Sequence, residues 1–575
     1  MSLRLLLEDY LALMREEGEL DVFLPTLLSA MGHEIIYRAQ KGTRQYGADI
    51  VSVGKDDDNE RKLYVWLVKC GDITRSNWST NEQSVRQSIE DVGDIYLLSH
   101  VAPQHKNLPK KLVILTNGDI KASLTHTLSA YLTQWTERHQ TEAATVNGSI
   151  LAGWTEQYLL DENVLPLENR TLFRRMLATV ESTEVCVSTG QELIDNIVKS
   201  GLQIEKSAAR LRKNQLNALR AIRTTLSVLL VWARNAKNLQ AAYKLAMYAV
   251  LAVWSAFHAE MAKKQNKEIS TEYSHVLFQL LQIAEAYHAK VERYYLVQNA
   301  FALALPDNLL VTERVFEEIG RLGFLACIWA LYGAIDEASS EFAVHLAHIN
   351  ASRIIAILRS HTCSQSPSHD HHAIDIHVAL LALMMTKRDL DAHDWLAKLV
   401  GRLRDVALFN RRYWPMTADF QEMLAIRHGN SPVADEFLNT STLLPILAIW
   451  AAALKREDVY SVIKDDILPA VPQASLNVWN SDAGYDDSLA NPVKLHEHGV
   501  AEAFKSLPES SKKFLTQMLE PLPTIEPMEK SSWYSARCPY IPMLASVCWR
   551  LQLPREMVAK QVKALADASP LKPSS

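Results

Sequence analysis

Cysteine is scarce and scattered. Cys70, Cys186, Cys327, Cys363, Cys538 and Cys548 share no CxxC spacing and no framework pattern. That excludes a disulfide scaffold and a cysteine-held structural zinc, and it points to reduced thiols in a cytoplasmic protein. Long apolar runs are missing too. No stretch reaches about 18 uncharged apolar residues, the length a membrane-spanning helix needs. "LAMYAVLAVWSAF" (245–257) and "LGFLACIWALYGAI" (322–335) come nearest and read as buried helices, so no membrane is expected. The opening "MSLRLLLEDYLALMREEGEL" is too acidic for a signal peptide and has helical spacing instead. Excess positive charge is absent: with a formal net charge of −6, any nucleic-acid site must be a local patch. There is no G-x-x-x-x-G-K-[ST], no G-x-G-x-x-G and no nucleophile elbow. A system that needs ATP hydrolysis would therefore need a second protein.

What is present is a chain of 575 residues, 48% hydrophobic and 22% charged, too long for one core and sized for two to four domains. Its character changes near residue 185. Before that point helical and strand signals alternate. Residues 3–16 and 20–31 read as helices, 34–40, 48–54, 63–69 and 110–118 as strands, 149–154 as a fifth strand, and 81–92 and 168–182 as helices. "KDDDNERK" (55–62) reads as a solvated hairpin tip. The order predicts an α/β sandwich over 1–185. Residues 186–575 read as helix after helix with no repeat register, an irregular bundle or degenerate solenoid. The segments 360–372, 428–436 and 469–492 read as loops, and the tail "ASPLKPSS" as disordered.

One pair of strands carries chemistry. In "GADIVSV", Asp49, Val51 and Val53 share a face; in "LYVWLVK", Leu63, Val65, Leu67 and Lys69 share a face. If the strands pair, Asp49 and Lys69 point into one cleft. A carboxylate there can hold a divalent cation, and a lysine can orient a water or stabilise developing charge. The plain alternative is a lysine snorkelling off the end of an edge strand.

The helix, "MGHEI", "GTRQYGADIVSV", "LYVWLVKCGDI" and the following amphipathic helix resemble the PD-(D/E)xK nuclease superfamily, in its Mrr-type restriction-endonuclease-like branch, over about residues 15–120. The resemblance implies an α/β restriction-endonuclease-like domain and Mg²⁺- or Mn²⁺-dependent hydrolysis of DNA. Asp49 matches the family's metal-binding aspartate and Lys69 its catalytic lysine. Asp21 matches an acidic helix residue, with Glu34 competing for that place. Gln83 or Gln87 stands where the family has a polar residue near the phosphate. One departure matters: the position two before the lysine, acidic or Gln in the family, is Leu67. Three readings stay open. Asp72 supplies the missing carboxylate; Asp21, Asp49 and the Val68 carbonyl suffice for one metal; or the domain has lost activity. The resemblance also implies a restriction or anti-phage setting, a partner protein such as an ATPase or sensor, and a homo-oligomer. It does not separate DNA from RNA, since the attack is on phosphate.

Weaker signals lie beyond. Residues 199–223 carry seven Lys/Arg against one Glu, so Lys206, Arg210, Arg212 and Lys213 are candidate DNA contacts, with a solvated helix face as the plain alternative. "HTCSQSPSHDHHAIDIH" (361–377) sets His371 and Asp375 four apart but matches no zinc pattern, and reads as a polar loop entering a helix. Trp254, Trp329, Trp395 and Trp450 fall on apolar helix faces and read as core.

Overall fold

The strand signals become a five-stranded mixed sheet near the N-terminus, and most of the remaining chain is helical. The computed structural model describes residues 3–38, 46–56, 58–79, 84–159, 167–203, 207–263, 266–335, 340–482, 484–491, 498–520 and 530–568. It divides into two compact units, Met1–Leu245 and Ala246–Ser575.

In the first unit, α1 (Leu3–Ala12), a π-helical turn (Glu16–Leu20) and α2 (Asp21–Ala30) lead into β1 (Glu34–Arg38), β2 (Ile50–Lys55) and β3 (Arg61–Lys69). Then come α3 (Arg75–Ser79), α4 (Val85–Asp91), β4 (Lys110–Thr116), α5 (Ala122–His139), β5 (Glu142–Val146) and α6 (Gly148–Tyr158). The strands lie in sequence order. β1, β2 and β3 pair antiparallel, while β3, β4 and β5 pair parallel. β3 is therefore the central strand, and the edge-strand account of Lys69 fails.

Period-two alternation decides the faces. Val51, Val53, Leu63, Val65, Leu67, Leu112 and Ile114 pack with Trp78, Ile89, Leu124, Leu128 and Trp135 of α3, α4 and α5. On the opposite face Trp66 stands edge-on to Trp154 of α6, centroids 6.4 Å apart, and donates its indole N–H to Ser52 Oγ at 2.8 Å.

Two assignments over 119–158 change. The apolar run 149–154 is not a strand: Asn147 caps α6 there, its Oδ1 accepting the Ile150 N–H at 3.0 Å. The fifth strand lies just before it, at Glu142–Val146. α5 was not expected at all, although Leu124, Leu128, Leu132 and Trp135 give it an apolar stripe at helical spacing. The hairpin tip 55–62 is also more than solvated loop. Lys62 is buried, and its Nζ meets Asp56 at 3.0 Å, Asp58 at 2.7 Å and Glu142 at 2.8 Å.

Helices α7 (Leu167–Ala178), α8 (Thr183–Gly201) and α9 (Ala208–Asn235) complete the first unit, and the division at 245 falls inside α10 (Leu239–Met261). Residue 185, where a boundary was expected, lies inside α8; the last strand of the first sheet ends at Val146 and the compact unit runs on to Leu245. The reason is packing: Arg234 of α9 donates to the Leu13 carbonyl at 3.1 Å and pairs with Glu19. α9 is long and apolar enough to cross a membrane by length and composition, yet 61% of its most apolar window is buried, as in a core helix.

The second unit holds α11 (Lys267–Tyr295), α12 (Phe301–Ala304), α13 (Asn308–Ile335), α14 (Ser340–Ser360), α15 (His372–Met385), α16 (Asp389–Phe409), α17 (Phe420–Arg427) and α18 (Leu443–Ala453). It is not purely helical. β6 (Thr440–Ser441), β7 (Ser475–Ser481) and β8 (Gly499–Phe504) form a three-stranded sheet, and β7 lies in the segment 469–492 read as a loop. The strict alternation Leu476, Val478, Asn480 inward is the signal for β7. Trp254, Trp329, Trp395 and Trp450 are all buried, as their helical spacing predicted. Residues 569–575 of the tail lie outside the described residues.

Candidate active site

Asp49 enters β2 immediately after Gly47 and Ala48. Gly47 has φ +77°, and a Cβ there would stand 2.1 Å from the Ser88 carbonyl oxygen of α4. Only glycine lets the chain take that conformation and pass so close to a helix backbone. The Gly-x-Asp step thus presses the start of β2 onto α4, and Asp49 follows at the sheet end. Its backbone N–H donates to the Trp66 carbonyl at 3.0 Å, and its carboxylate Oδ2 accepts the Val68 N–H at 2.7 Å. The β2–β3 register, Ile50 opposite Trp66 and Val51 opposite Val65, sets Asp49 across from Leu67 and diagonal to Lys69.

This carboxyl is perturbed. Burial pushes Asp49 up to about 6, against the Val68 hydrogen bond and the Lys69 charge, which pull it down, while Glu16 pushes it further up. Lys69, half-buried at the end of the central strand, forms no ion pair or side-chain hydrogen bond among the described residues. Its ammonium is free to act on something other than the protein.

Glu16, which the sequence argument did not single out, has a charge that acts on Asp49. It opens the π turn between α1 and α2. Asn117, buried after β4, fixes that turn: its Nδ2 donates to the Leu11 carbonyl at 2.7 Å, and its Oδ1 accepts the Gly71 N–H at 2.7 Å. The end of α1 is thereby tied to the end of β3. Glu19 holds the other side of the turn by accepting the Arg15 N–H at 2.8 Å and pairing with Arg234. Glu16 is exposed, and it pushes the Asp49 carboxyl up. No periodicity in the sequence distinguishes it from Glu17 or Glu19.

The remaining candidates are placed elsewhere. Asp21 is exposed in the first turn of α2, where a carboxylate complements the helix dipole. Asp72 spends both oxygens on the turn after β4: Oδ1 accepts the Asp119 N–H at 2.8 Å and Oδ2 pairs with Lys121 at 2.6 Å. Glu34 pairs with Arg61 at 3.2 Å. Val68 contributes its N–H to Asp49. Gln87 donates to Asp91 within its own helix at 2.8 Å. Gln83 and Lys206 lie outside the described residues. The basic stretch 199–223 is not one helix, because α8 ends at Gly201 and α9 starts at Ala208. Arg210 and Lys213 are exposed on α9 and Arg212 is half-buried.

No family model, no curated protein and no solved structure matches the chain.

Leu67 is fully buried in the apolar cluster under α4 and α5. It packs; it cannot coordinate. At the sheet end Asp49 stands diagonal to Lys69, and the Glu16 charge acts on the Asp49 carboxyl. Two other His/carboxylate groups exist among the described residues, Glu90–Asp94–His139 and Glu313–His371–His372. Neither includes Asp49. The first is bound up in pairs with Arg138 and a hydrogen bond from Tyr131.

Proposed function

We propose that the first unit is a restriction-endonuclease-like domain that hydrolyses DNA phosphodiesters with Mg²⁺ or Mn²⁺. The observation that carries this reading is the perturbed Asp49 carboxyl, held by the Val68 N–H at the end of the sheet with Lys69 and Glu16 around it. Asp49 and Glu16 would hold the cation, and the cation when bound would polarise the phosphate and acidify a water. Lys69 lies where an ammonium can orient the attacking water and stabilise charge on the phosphoryl oxygens. The Gly47 contact and the Asn117 bridge hold the start of β2, the end of β3 and the end of α1, so the backbone that carries Asp49 and Lys69 is set before substrate would arrive. The resemblance to restriction enzymes supplies the setting, an effector of restriction or anti-phage defence acting with a partner protein.

Buried Leu67 favours a second reading, a nuclease fold that grips nucleic acid without cutting it. Incubation of the full chain with plasmid and linear DNA, in Mg²⁺, Mn²⁺ or EDTA, separates the two. Metal-dependent cutting that Lys69→Ala abolishes without changing the melting temperature supports the nuclease. Full cutting by Lys69→Ala sinks the proposed role of the lysine. DNA retention without cutting in either metal favours the second reading.

A further inference from the structure

The second unit contains a cavity of about 630 Å³ between α13, α16 and α17, inside the size range of small-ligand sites. Two arginines line it, Arg402 on α16 and Arg427 at the end of α17. Neither forms an ion pair or side-chain hydrogen bond among the described residues. For exposed Arg402 that is ordinary. Arg427 is half-buried, and its guanidinium presents several N–H donors that an acceptor in the cavity can meet. Its one close partner is a ring: the guanidinium carbon lies 5.2 Å from the Tyr413 centroid, a cation–π contact that leaves the N–H edges unused.

The nearby acids do not fill that need. Glu313 already has the Ser368 hydroxyl at 3.1 Å, His371 Nε2 at 3.1 Å and His372 Nε2 at 3.0 Å. Asp307 accepts the Leu309 N–H at 2.6 Å and faces His428 at 3.4 Å. Burial accordingly holds Arg427 below its usual range despite these charges. Two aromatic rings are also left open at the cavity: Phe409 is 82% exposed and Tyr413 46%. Asp405 is the single acid on the wall and is exposed.

We propose that this cavity binds a nucleoside phosphate, with the phosphate on Arg402 and Arg427 and the base against Phe409 and Tyr413. A planar guanidinium pair matches phosphate oxygens. Exposed rings offer a stacking surface for any base. Asp405 can accept a hydrogen bond from a ribose hydroxyl or a ring amino group, which inorganic phosphate does not provide. The proposal is for binding; no group on the wall is assigned to hydrolysis. This cavity lies in the second unit and shares no residue with the Asp49 site.

The test is isothermal titration of the full chain with AMP, ATP, adenosine and pyrophosphate. A nucleotide is expected to bind, with adenosine and pyrophosphate each weaker by about tenfold or more. Arg402→Ala and Arg427→Gln should each weaken nucleotide binding by about tenfold, and Tyr413→Leu should weaken it without flattening the salt dependence. Melting temperatures show whether the variants fold; should Arg427→Gln fail to, Arg402→Ala on the exposed wall carries the test. Absence of nucleotide binding, equal affinity for pyrophosphate, or unchanged affinity in the arginine variants overturns the assignment.

Discussion

Asp49 resists ionisation in the folded chain. Raised from 3.8 to about 6 by burial, it binds a proton in the native state that the unfolded chain releases between those values. Its contribution to stability is therefore full below pH 4 and is lost as the pH rises through 6. Asp49→Asn should abolish cleavage and yet raise stability at pH 8 in EDTA, by up to about 3 kcal/mol for a shift of two units. The gain should vanish at pH 4, where both side chains are neutral, and urea unfolding at the two values checks it. Glu16→Gln tests the other carboxylate. It should lower metal-dependent cleavage at least about tenfold, the loss expected for even an outer partner of a metal site. Asp21→Asn and Asp72→Asn should leave the cutting rate within about twofold, as expected for exposed acids outside the donor set. Equal losses in all three variants would refute the assignment of Glu16.

At the scale of elements, close backbone approach and buried caps matter more than the length of any helix. Gly47→Ala would drive a Cβ into the Ser88 carbonyl at a positive φ. It should destabilise the first unit by roughly 2–4 kcal/mol, combining left-handed strain with overpacking, and a thermal melt reads this directly. Asp370 plays a comparable part in the second unit. The polar segment 361–377 is more than a loop entering a helix. Buried Asp370 accepts the Thr442 N–H at 2.7 Å, the Leu443 N–H at 3.2 Å and the hydroxyls of Ser441 at 3.0 Å and Thr442 at 2.6 Å, at the start of α18. Asp370→Ala leaves those donors buried and unpaired, so urea denaturation should show a loss of about 3 kcal/mol or more.

At the scale of the whole molecule, the first compact unit runs past 185 to include α8 and α9. Residues 1–238, which end before α10 and keep Arg234, should melt cooperatively and elute as a compact species. A fragment ending at 185 lacks Arg234, which anchors Glu19 and the Leu13 carbonyl, and should melt at lower temperature or aggregate. Identical melts would show that α8 and α9 are dispensable to the first unit. What the sequence determined by itself was local. Strict alternation in β2 and β3 put Asp49 and Lys69 on one face of neighbouring strands, and helical spacing placed the tryptophans in the core. The tertiary structure decided which elements meet. It let the Glu16 charge bear on Asp49, spent Asp72 on a turn, buried Leu67 under α4 and α5, and left Arg427 facing a cavity. Periodicity reports which way a side chain points along its own element; which partner it finds depends on contacts between residues far apart in the chain, and no local pattern encodes them.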